Sequence, residues 1–545
     1  MLLQVAVSEK SFGVKQLYTN VKFTLESGEK VGLIGRNGIG KSTLFGIIAG
    51  EDNDYTGQII LRKGASLVST AQEYDKVRDL TATEYILAGL PHYASLSRTL
   101  REFPLLENPT DKQIERYSAA LDEFGERGYY NIQGEVEEEL KKFQLDSVME
   151  QPFKSLSGGQ KRLSEVIKIM HAKADLALID EPTNFMDYVA KEQFINWLVA
   201  APEAMLIITH DRDVLQHVDR IIEIKDGMSV SYKGNYDDYI RQNLHGTATA
   251  MQDYEQVEKR MKNLQQKVTD YKRLKEKARN PATIHQFKRL EENARAELDE
   301  LSNKERPSFW IDRESLAQVG YKDADRYAKY QAKNIKVSMK GEKLRSERPL
   351  VQAIDLAVGY QAPILEHINF ALRSGECLEL RGRNGVGKST LLKAILGLAG
   401  PKIFAGEAHL DGQIRIGIYE QEEGGQYAGL TLKAAIEQIY LKRDLPISDT
   451  KIRQLLSNYL FTEGDGNMLV DNLSGGQKAR LQIIRMLANN PDLIILDEPT
   501  SHLDLPSIEE LEQALAGYAG AIIYISHDNY FRRKLGGSVL QVGAA

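Results

Sequence analysis

Gly35-Arg36-Asn37-Gly38-Ile39-Gly40-Lys41-Ser42-Thr43 decides how this chain is read, because it occurs twice. Gly382-Arg383-Asn384-Gly385-Val386-Gly387-Lys388-Ser389-Thr390 repeats it. Both copies fit G-x-x-x-x-G-K-[ST]. Each follows an apolar strand-like run, Val31-Gly32-Leu33-Ile34 and Cys377-Leu378-Glu379-Leu380, and each opens an apolar helical pattern at Leu44 and Leu391. Strand, glycine loop and helix is the setting in which this motif cradles phosphate, since backbone N–H groups close around the oxygens and the helix N-terminus adds positive charge. Lys41 and Lys388 are placed to reach terminal phosphates, and Ser42 and Ser389 to ligand Mg²⁺. A turn that binds nothing is the plainer reading of one copy. Two near-identical copies set it aside.

Outward from the loops, the chain has 545 residues, enough for several domains. Its 42% hydrophobic and 27% charged content is that of an ordinary soluble protein, and a net charge of −7 confines any nucleic-acid-binding surface to a local basic patch. Cys377 is the one cysteine, which excludes disulfide scaffolds, Cys-rich zinc sites and iron–sulfur clusters. No apolar run approaches the roughly 20 residues of a membrane span, and the N-terminus lacks a signal-peptide layout. A cytoplasmic protein is expected.

Other features recur in the same order in both halves. Phe12 lies 23 residues before Gly35 and Tyr360 lies 22 before Gly382; either aromatic could stack on a nucleotide base or be a buried strand residue. Gln72 and Gln421 end strand-like runs, where a glutamine can touch both Mg²⁺ and an attacking water. Leu156-Ser157-Gly158-Gly159-Gln160 and Leu473-Ser474-Gly475-Gly476-Gln477 each open a helix and form a second anion nest. Asp180-Glu181 and Asp497-Glu498 close apolar strands long enough to be buried on both faces. The first acid of each pair is placed to hold Mg²⁺ and the second to polarise a hydrolytic water. Met205 to Thr209 and Ile522 to Ser526 are further apolar runs, ending at His210 and His527, candidate γ-phosphate contacts.

Phosphate loop, glutamine, LSGGQ, Asp-Glu pair and histidine, in that order, resemble the nucleotide-binding domain of the ATP-binding cassette superfamily. The resemblance covers nearly the whole chain outside its middle. It implies an α/β fold with two P-loop cassette domains paired head to tail, binding ATP with Mg²⁺. Each ATP would lie between one phosphate loop and the other domain's LSGGQ, so Ser157 and Gly159 would face the ATP on Lys388, and Ser474 and Gly476 the ATP on Lys41. Complete motifs in both halves imply two hydrolysis-competent sites. One loop departs from the family pattern. After the acidic pair the second half reads Ser501-His502-Leu503-Asp504, the usual form, and the first reads Asn184-Phe185-Met186-Asp187. In the family this loop couples the two sites, so equal coupling is not assured by the sequence.

Equivalent residues are offset by 347 at the lysines and 349 at the glutamines, but by 317 from LSGGQ onward, so the first half carries 32 extra residues. Charged helical sequence at about 95–140 is the expected place. The middle, 244–348, interrupts the repeat and divides the chain into cassette 1–243, linker 244–348 and cassette 349–545. Tyr254, Val257, Met261, Leu264, Val268 and Tyr271 form a helical seam; Asn280-Pro281 breaks it, and Phe287, Leu290, Ala294, Leu298 and Leu301 resume it. The pattern predicts a long α-helical hairpin joining the cassettes, each arm near 45 Å for about 30 residues. From Lys267 to Leu290 eight basic residues (Lys267, Lys272, Arg273, Lys275, Lys277, Arg279, Lys288, Arg289) face only Asp270 and Glu276. A solvated helical face is the plain reading; contact with a phosphate backbone is the sharper one.

Two cassettes, no membrane segment and a charged helical linker are similar to the ABC-F family. That resemblance implies an ATPase that binds the ribosome, contacting rRNA and tRNA, with the linker tip near peptidyl-tRNA and the insertion acting as the family's arm. It implies a monomer whose cassettes pair within the chain, acting as translation factor or antibiotic-resistance protein; the short turn at Arg279-Asn280-Pro281-Ala282 favours the former. The rival is a fused ATPase subunit of a membrane importer, which needs no long basic hairpin. A chromosome-maintenance ATPase would interrupt a cassette with its coiled coil, and a non-catalytic binding module would not need intact acid pairs and histidines.

Overall fold

The computed structural model describes residues 1–12, 15–70, 79–302, 327, 333–337, 339, 348–420 and 425–543, without the side chains of residues 12 and 15. The first half runs β1 (Leu3–Phe12), β2 (Lys15–Tyr18), β3 (Val21–Leu25), β4 (Lys30–Gly35), α1 (Lys41–Ala49), β5 (Thr56–Leu61) and β6 (Leu67–Ser69). Next come α2 (Ala82–Ala88), α3 (Tyr93–Glu102), α4 (Asp111–Glu126), α5 (Ile132–Lys142) and α6 (Gly158–Ala172). The half closes with β7 (Leu176–Asp180), α7 (Tyr188–Ala200), β8 (Ala204–Ile208), α8 (Arg212–Leu215), β9 (Arg220–Lys225) and β10 (Met228–Lys233). Helices α9 (Tyr236–Lys277) and α10 (Pro281–Ser302) form the middle. The second half then repeats the plan: β11 (Val351–Gly359), β12 (Pro363–Leu372), β13 (Cys377–Arg381), α11 (Lys388–Ile395), β14 (Lys402–Leu410), β15 (Ile416–Tyr419), α12 (Leu432–Leu441) and α13 (Asp449–Asn458). It ends with α14 (Gly475–Leu487), β16 (Leu493–Asp497), α15 (Leu505–Ala516), β17 (Ala521–Ile525), α16 (Asn529–Leu535) and β18 (Ser538–Gln541).

Each half has a central sheet, ordered β10-β9-β4-β8-β7-β6 in the first and β15-β16-β17-β13-β18 in the second. All neighbours are parallel except β9 and β10. A smaller antiparallel sheet, β1 with β2, β3 and β5, or β11 with β12 and β14, lies beside it in the order of pairing. The runs Ala204–Ile208 and Ala521–Ile525 are buried along their whole length, as unbroken apolar sequence in a parallel sheet requires. Leu44, Phe45 and Ile47 of α1 close one core with Leu3, Val5, Leu33 and Leu206. Ile86, Val136, Ile167 and Phe194 close another on helices α2, α5, α6 and α7.

The insertion consists of α3 and α4. Two helices, α12 and α13, separate β15 from α14, whereas four separate β6 from α6. Phe103 stacks on Tyr117 at 4.2 Å between ring centres, and Tyr93, Phe124 and Tyr129 form an aromatic cluster at the insertion's base.

Residues 237–335 form a compact unit apart from the two cassettes, which cluster together. Within it the helices break where Asn280-Pro281 predicts, and the Asn280 side chain caps α10 by accepting from Ala282 N at 3.0 Å. The arms are unequal. Helix α9 has 42 residues and α10 has 22, or about 63 and 33 Å. The first arm is longer than expected because Asp237 and Asp238 favour a helix start before Leu244. Leu264 and Ala294 are buried in the seam as expected, but Leu290 is exposed and Glu291 takes its place. Lys275 pairs with Glu291, as does Arg295. The seam on α10 runs through 287, 291, 294, 298 and 301, a regular 4, 3, 4, 3 spacing that passes over Leu290. No helix among the described residues is long and apolar enough to cross a membrane.

Candidate active sites

Strands β4 and β13 deliver the two phosphate loops. Gly40 and Gly387 adopt φ of 103° and 110°, where side chains are disfavoured. A Cβ on Gly40 would also stand 2.6 Å from the Tyr18 hydroxyl. Gly35, Asn37, Gly38 and Gly40 line the turn into α1, and Gly382, Asn384, Gly385 and Gly387 the turn into α11, with Thr43 and Thr390 in the first helical turns. Lys41 Nζ folds over its loop to donate to the carbonyls of Gly35 (2.6 Å) and Arg36 (3.3 Å). Lys388 does the same to Gly382 (2.7 Å) and Arg383 (2.9 Å). Burial lowers the pKa of both ammonium groups, the state of a cation awaiting an anion.

Ser42 Oγ donates to Asp180 Oδ2 at 2.8 Å and Ser389 Oγ to Asp497 Oδ2 at 3.3 Å. A hydroxyl and a carboxylate at the mouth of a phosphate loop are the hard oxygens Mg²⁺ accepts alongside substrate phosphates. Among the described residues no three acidic or histidine side chains gather to hold a metal by themselves. Gln72 and Gln421 lie outside the described residues, as does the side chain of Phe12. Tyr360 follows β11 and is 44% exposed.

Glu181 and Glu498 turn sharply off their strands with φ of 44° and 49°, a left-handed conformation that costs a residue with a Cβ about 1–2 kcal/mol. Their N–H groups donate to the carbonyls of Ile208 (2.8 Å) and Ile525 (3.0 Å), which hold the turn in place. Burial, with Asp497 adjoining, pushes the Glu498 carboxyl up to about 8; burial and Asp180 raise Glu181 likewise. His527 Nε2 lies 3.3 Å from Glu498 Oε1, and His210 Nε2 lies 3.7 Å from Glu181 Oε1 and 3.1 Å from Lys41 Nζ. Burial and the loop lysine hold each imidazole neutral, His527 down to about 3. Glu498 Oε1, His527 Nε2 and His210 Nδ1 are buried without a hydrogen bond. Buried polar atoms need partners, and a phosphate oxygen or a water fits this setting.

The two cassettes face each other head to tail. A cavity of about 490 Å³ is lined by Ser157, Gly159 and Gln160 of the first cassette and Asn384, Lys388 and Glu498 of the second, within the size range of ligand sites. At the other phosphate loop, a Cβ on Gly476 would stand 2.3 Å from Asn37 Nδ2. The serines of both LSGGQ segments cap their helices. Ser157 Oγ accepts from Gln160 N while Gln160 Oε1 accepts from Ser157 N, and Ser474 and Gln477 repeat the box.

The two loops that the resemblance assigns to coupling reach across to the opposite phosphate loop. Asp504 Oδ2 accepts from Asn37 N at 3.3 Å and lies 3.5 Å from Arg36 Nε. Asp187 Oδ2 accepts from Asn384 N at 3.1 Å and lies 3.4 Å from Arg383 Nε. The two aspartates sit 317 residues apart, in step with the motifs. The loop between acid pair and aspartate hydrogen-bonds the opposite phosphate loop through its main chain, while the Phe185 and His502 rings meet edge-on, 6.4 Å between centres. The His502 carbonyl accepts from Asn37 Nδ2 at 2.7 Å and the Phe185 carbonyl from Asn384 Nδ2 at 3.1 Å. A carbonyl does not depend on its side chain, so Phe185 and His502 can stand at equivalent positions.

A family model described as ABC transporter matches residues 18–184 and 365–501, and a second of the same description matches 222–308. YdiF of Bacillus subtilis (strain 168) is 31% identical over 557 residues, spanning all of this chain and 80% of YdiF. ABC transporter F family member 2 of Arabidopsis thaliana is 30% identical, covering 98% of this chain and 75% of that protein. Among solved structures, the archaeal ribosome recycling factor aABCE1, in complex with the stalk protein aP1, matches with a TM-score of 0.56 at 17% identity. It covers 98% of this chain and 86% of its own, a likeness of fold. The chain therefore belongs to the ABC-F family of the ATP-binding cassette superfamily, and it is an ATP-hydrolysing enzyme with two cassettes in one polypeptide.

Proposed function

We propose that this ATPase works as a monomer in the cytoplasm and acts on the ribosome, as a translation factor. Pairing of its cassettes around two ATP molecules brings the basic hairpin against rRNA and tRNA. The observation that carries the reading is the charge of the hairpin turn. Lys272, Arg273, Lys277, Arg279, Lys288 and Arg289 are all exposed there, in a chain of net charge −7. Such a cluster suits a phosphate backbone. Lys275 differs, because Glu291 draws it into the seam. Kinship with ABC-F proteins supports the reading. So does the architecture shared with a protein described as a ribosome recycling factor. The turn between α9 and α10 spans only 278–280, which favours a translation factor over a resistance protein.

In hydrolysis, Lys41 or Lys388 holds the terminal phosphates, while His210 or His527, held neutral, donates to a γ-phosphate oxygen. Glu181 or Glu498 orients the water; as its oxygen bonds to phosphorus and the bridging P–O bond breaks, the water's proton passes to the carboxylate. Ser42 with Asp180, and Ser389 with Asp497, would hold Mg²⁺, which would supply charge neutralisation at the phosphates. Ser157 and Gly159, or Ser474 and Gly476, contribute oriented donors from the opposite cassette.

The test is co-sedimentation of the Glu181→Gln/Glu498→Gln double variant with ribosomes. The protein is expected in the ribosomal pellet with ATP and in the supernatant without it. Recovery in the supernatant in both conditions would sink the ribosome reading and turn attention to a membrane partner.

A further inference from the structure

The aspartate that follows each histidine is buried at the cassette interface, and a buried carboxylate needs a cation. The two are neutralised from different places. Asp211 obtains its cation inside its own cassette, where Lys191 Nζ of α7 lies 2.8 Å from Asp211 Oδ2. The position 317 residues beyond Lys191 is Ile508, so the second cassette has no such lysine. Asp528 is met instead from across the interface. Arg212 of the first cassette donates to Asp528 Oδ2 at 3.0 Å, pairs with Glu512 and lies 4.7 Å from the ring centre of Tyr530. Lys191 also reaches over, donating to the carbonyl of His527 at 3.0 Å. The reverse contacts are not made. Asn529 stands at the place equivalent to Arg212, where its amide donates to Asp213 at 2.9 Å, and Ile195 stands at the place of Glu512.

We propose that Arg212 and Lys191 are positioning residues that complete the His527 loop in trans. The second site is then fully assembled only when the cassettes are paired, whereas the His210 loop is completed within its own cassette. This rests on the roles assigned above to the glutamates and histidines. The physical route is short. Asp528 Oδ1 accepts from Tyr530 N (2.8 Å) and Phe531 N (3.0 Å), fixing the start of α16 and with it the turn that carries His527. Its other oxygen is committed to Arg212. Without that guanidinium the carboxylate must seek water, and the loop moves with it.

The test is Arg212→Met in the full chain, in two backgrounds. Glu181→Gln leaves only the Glu498 site to turn over, and Glu498→Gln leaves only the Glu181 site. In the first background kcat is expected to fall between about tenfold and a hundredfold, with KM for ATP within about twofold; in the second, kcat stays within about twofold. Arg212→Lys, which keeps the charge, restores most of the loss. Equal losses in both backgrounds, or none in either, would overturn the proposal. Amide exchange of the ATP-bound Glu181→Gln/Glu498→Gln protein is a second, catalysis-free measure. Adding Arg212→Met is expected to speed exchange in 525–530 and not in 208–213; faster exchange in both segments overturns the proposal. Residual hydrolysis by the double Gln variant would refute the glutamate roles separately, and the exchange pattern alone would then decide.

Discussion

The sites at Lys41 and Lys388 match in their loops at every position but Ile39 and Val386, and match in their acid pairs and histidines; they diverge one layer further out. The first is furnished from its own cassette: the Tyr18 hydroxyl donates to the Gly40 carbonyl, and Lys191 neutralises Asp211. At the second site Leu365 stands where Tyr18 would be, 347 residues on, and the histidine loop leans on Arg212 and Lys191 of the opposite cassette. Chemistry touching the nucleotide is constrained to be alike. The supports behind it are free to differ, and they decide when each site is ready.

The comparison can be broken most decisively at the glutamates. Glu181→Gln/Glu498→Gln should lower phosphate release by about 10³-fold or more, and each single variant should isolate one site. If either single variant abolishes turnover at both, the sites are one unit and the contrast drawn here fails. Next in size are the aspartates that brace the opposite loops. Asp504→Ala should raise KM for ATP at the Lys41 site, and Asp187→Ala at the Lys388 site, each by about tenfold, the cost of a lost charged hydrogen bond. Asp187→Asn keeps the cap on α7, so it separates that effect from lost stability in a melting curve.

The pH profile sharpens the comparison further. Glu498 must ionise to accept a proton, and its pKa stands at about 8, so kcat/KM of the Glu181→Gln protein should climb with pH and level off above about 8. His527, neutral above about 3, adds no limb in that range. The sign for stability is opposite. The folded carboxyl binds its proton more tightly than the ordinary value of 4.5, so its contribution is complete below that value and is lost as pH rises toward about 8. The nucleotide-free melting temperature should therefore fall over that interval more in the parent than in Glu498→Gln. The smallest effect is expected at Phe185. Because its carbonyl makes the contact, Phe185→Ala should leave KM for ATP within about twofold; a larger change would mean that the ring itself couples the sites.

What was legible in the sequence was whatever the two halves repeat. Phosphate loops, LSGGQ, Asp-Glu and histidine each appear twice in register, and the fold and nucleotide chemistry follow from them. Gln160 and Gln477 were within reach as well, since Ser-x-x-Gln is a capping box. Lys191, Arg212 and Glu512 were hidden by the same logic. Their counterparts are Ile508, Asn529 and Ile195, so a search for repetition passes over them, and their partners lie about 300 residues away. In the hairpin, helical periodicity located the seam and the break, and only Leu290 was misplaced. The regular spacing on α10 puts Glu291 there, held by Lys275 and Arg295, and a search for apolar residues passes over a charged one.

The turned-out glutamates have a consequence for anyone trying to harden this protein. Residues 181 and 498 combine a backbone twist suited to glycine or asparagine with a charge buried against a second acid. Asparagine or glycine at either position relaxes both tensions and ends turnover at that site. Selection for heat resistance alone would drift toward those substitutions and return robust, idle molecules. Directed evolution here must therefore screen for phosphate release at every round.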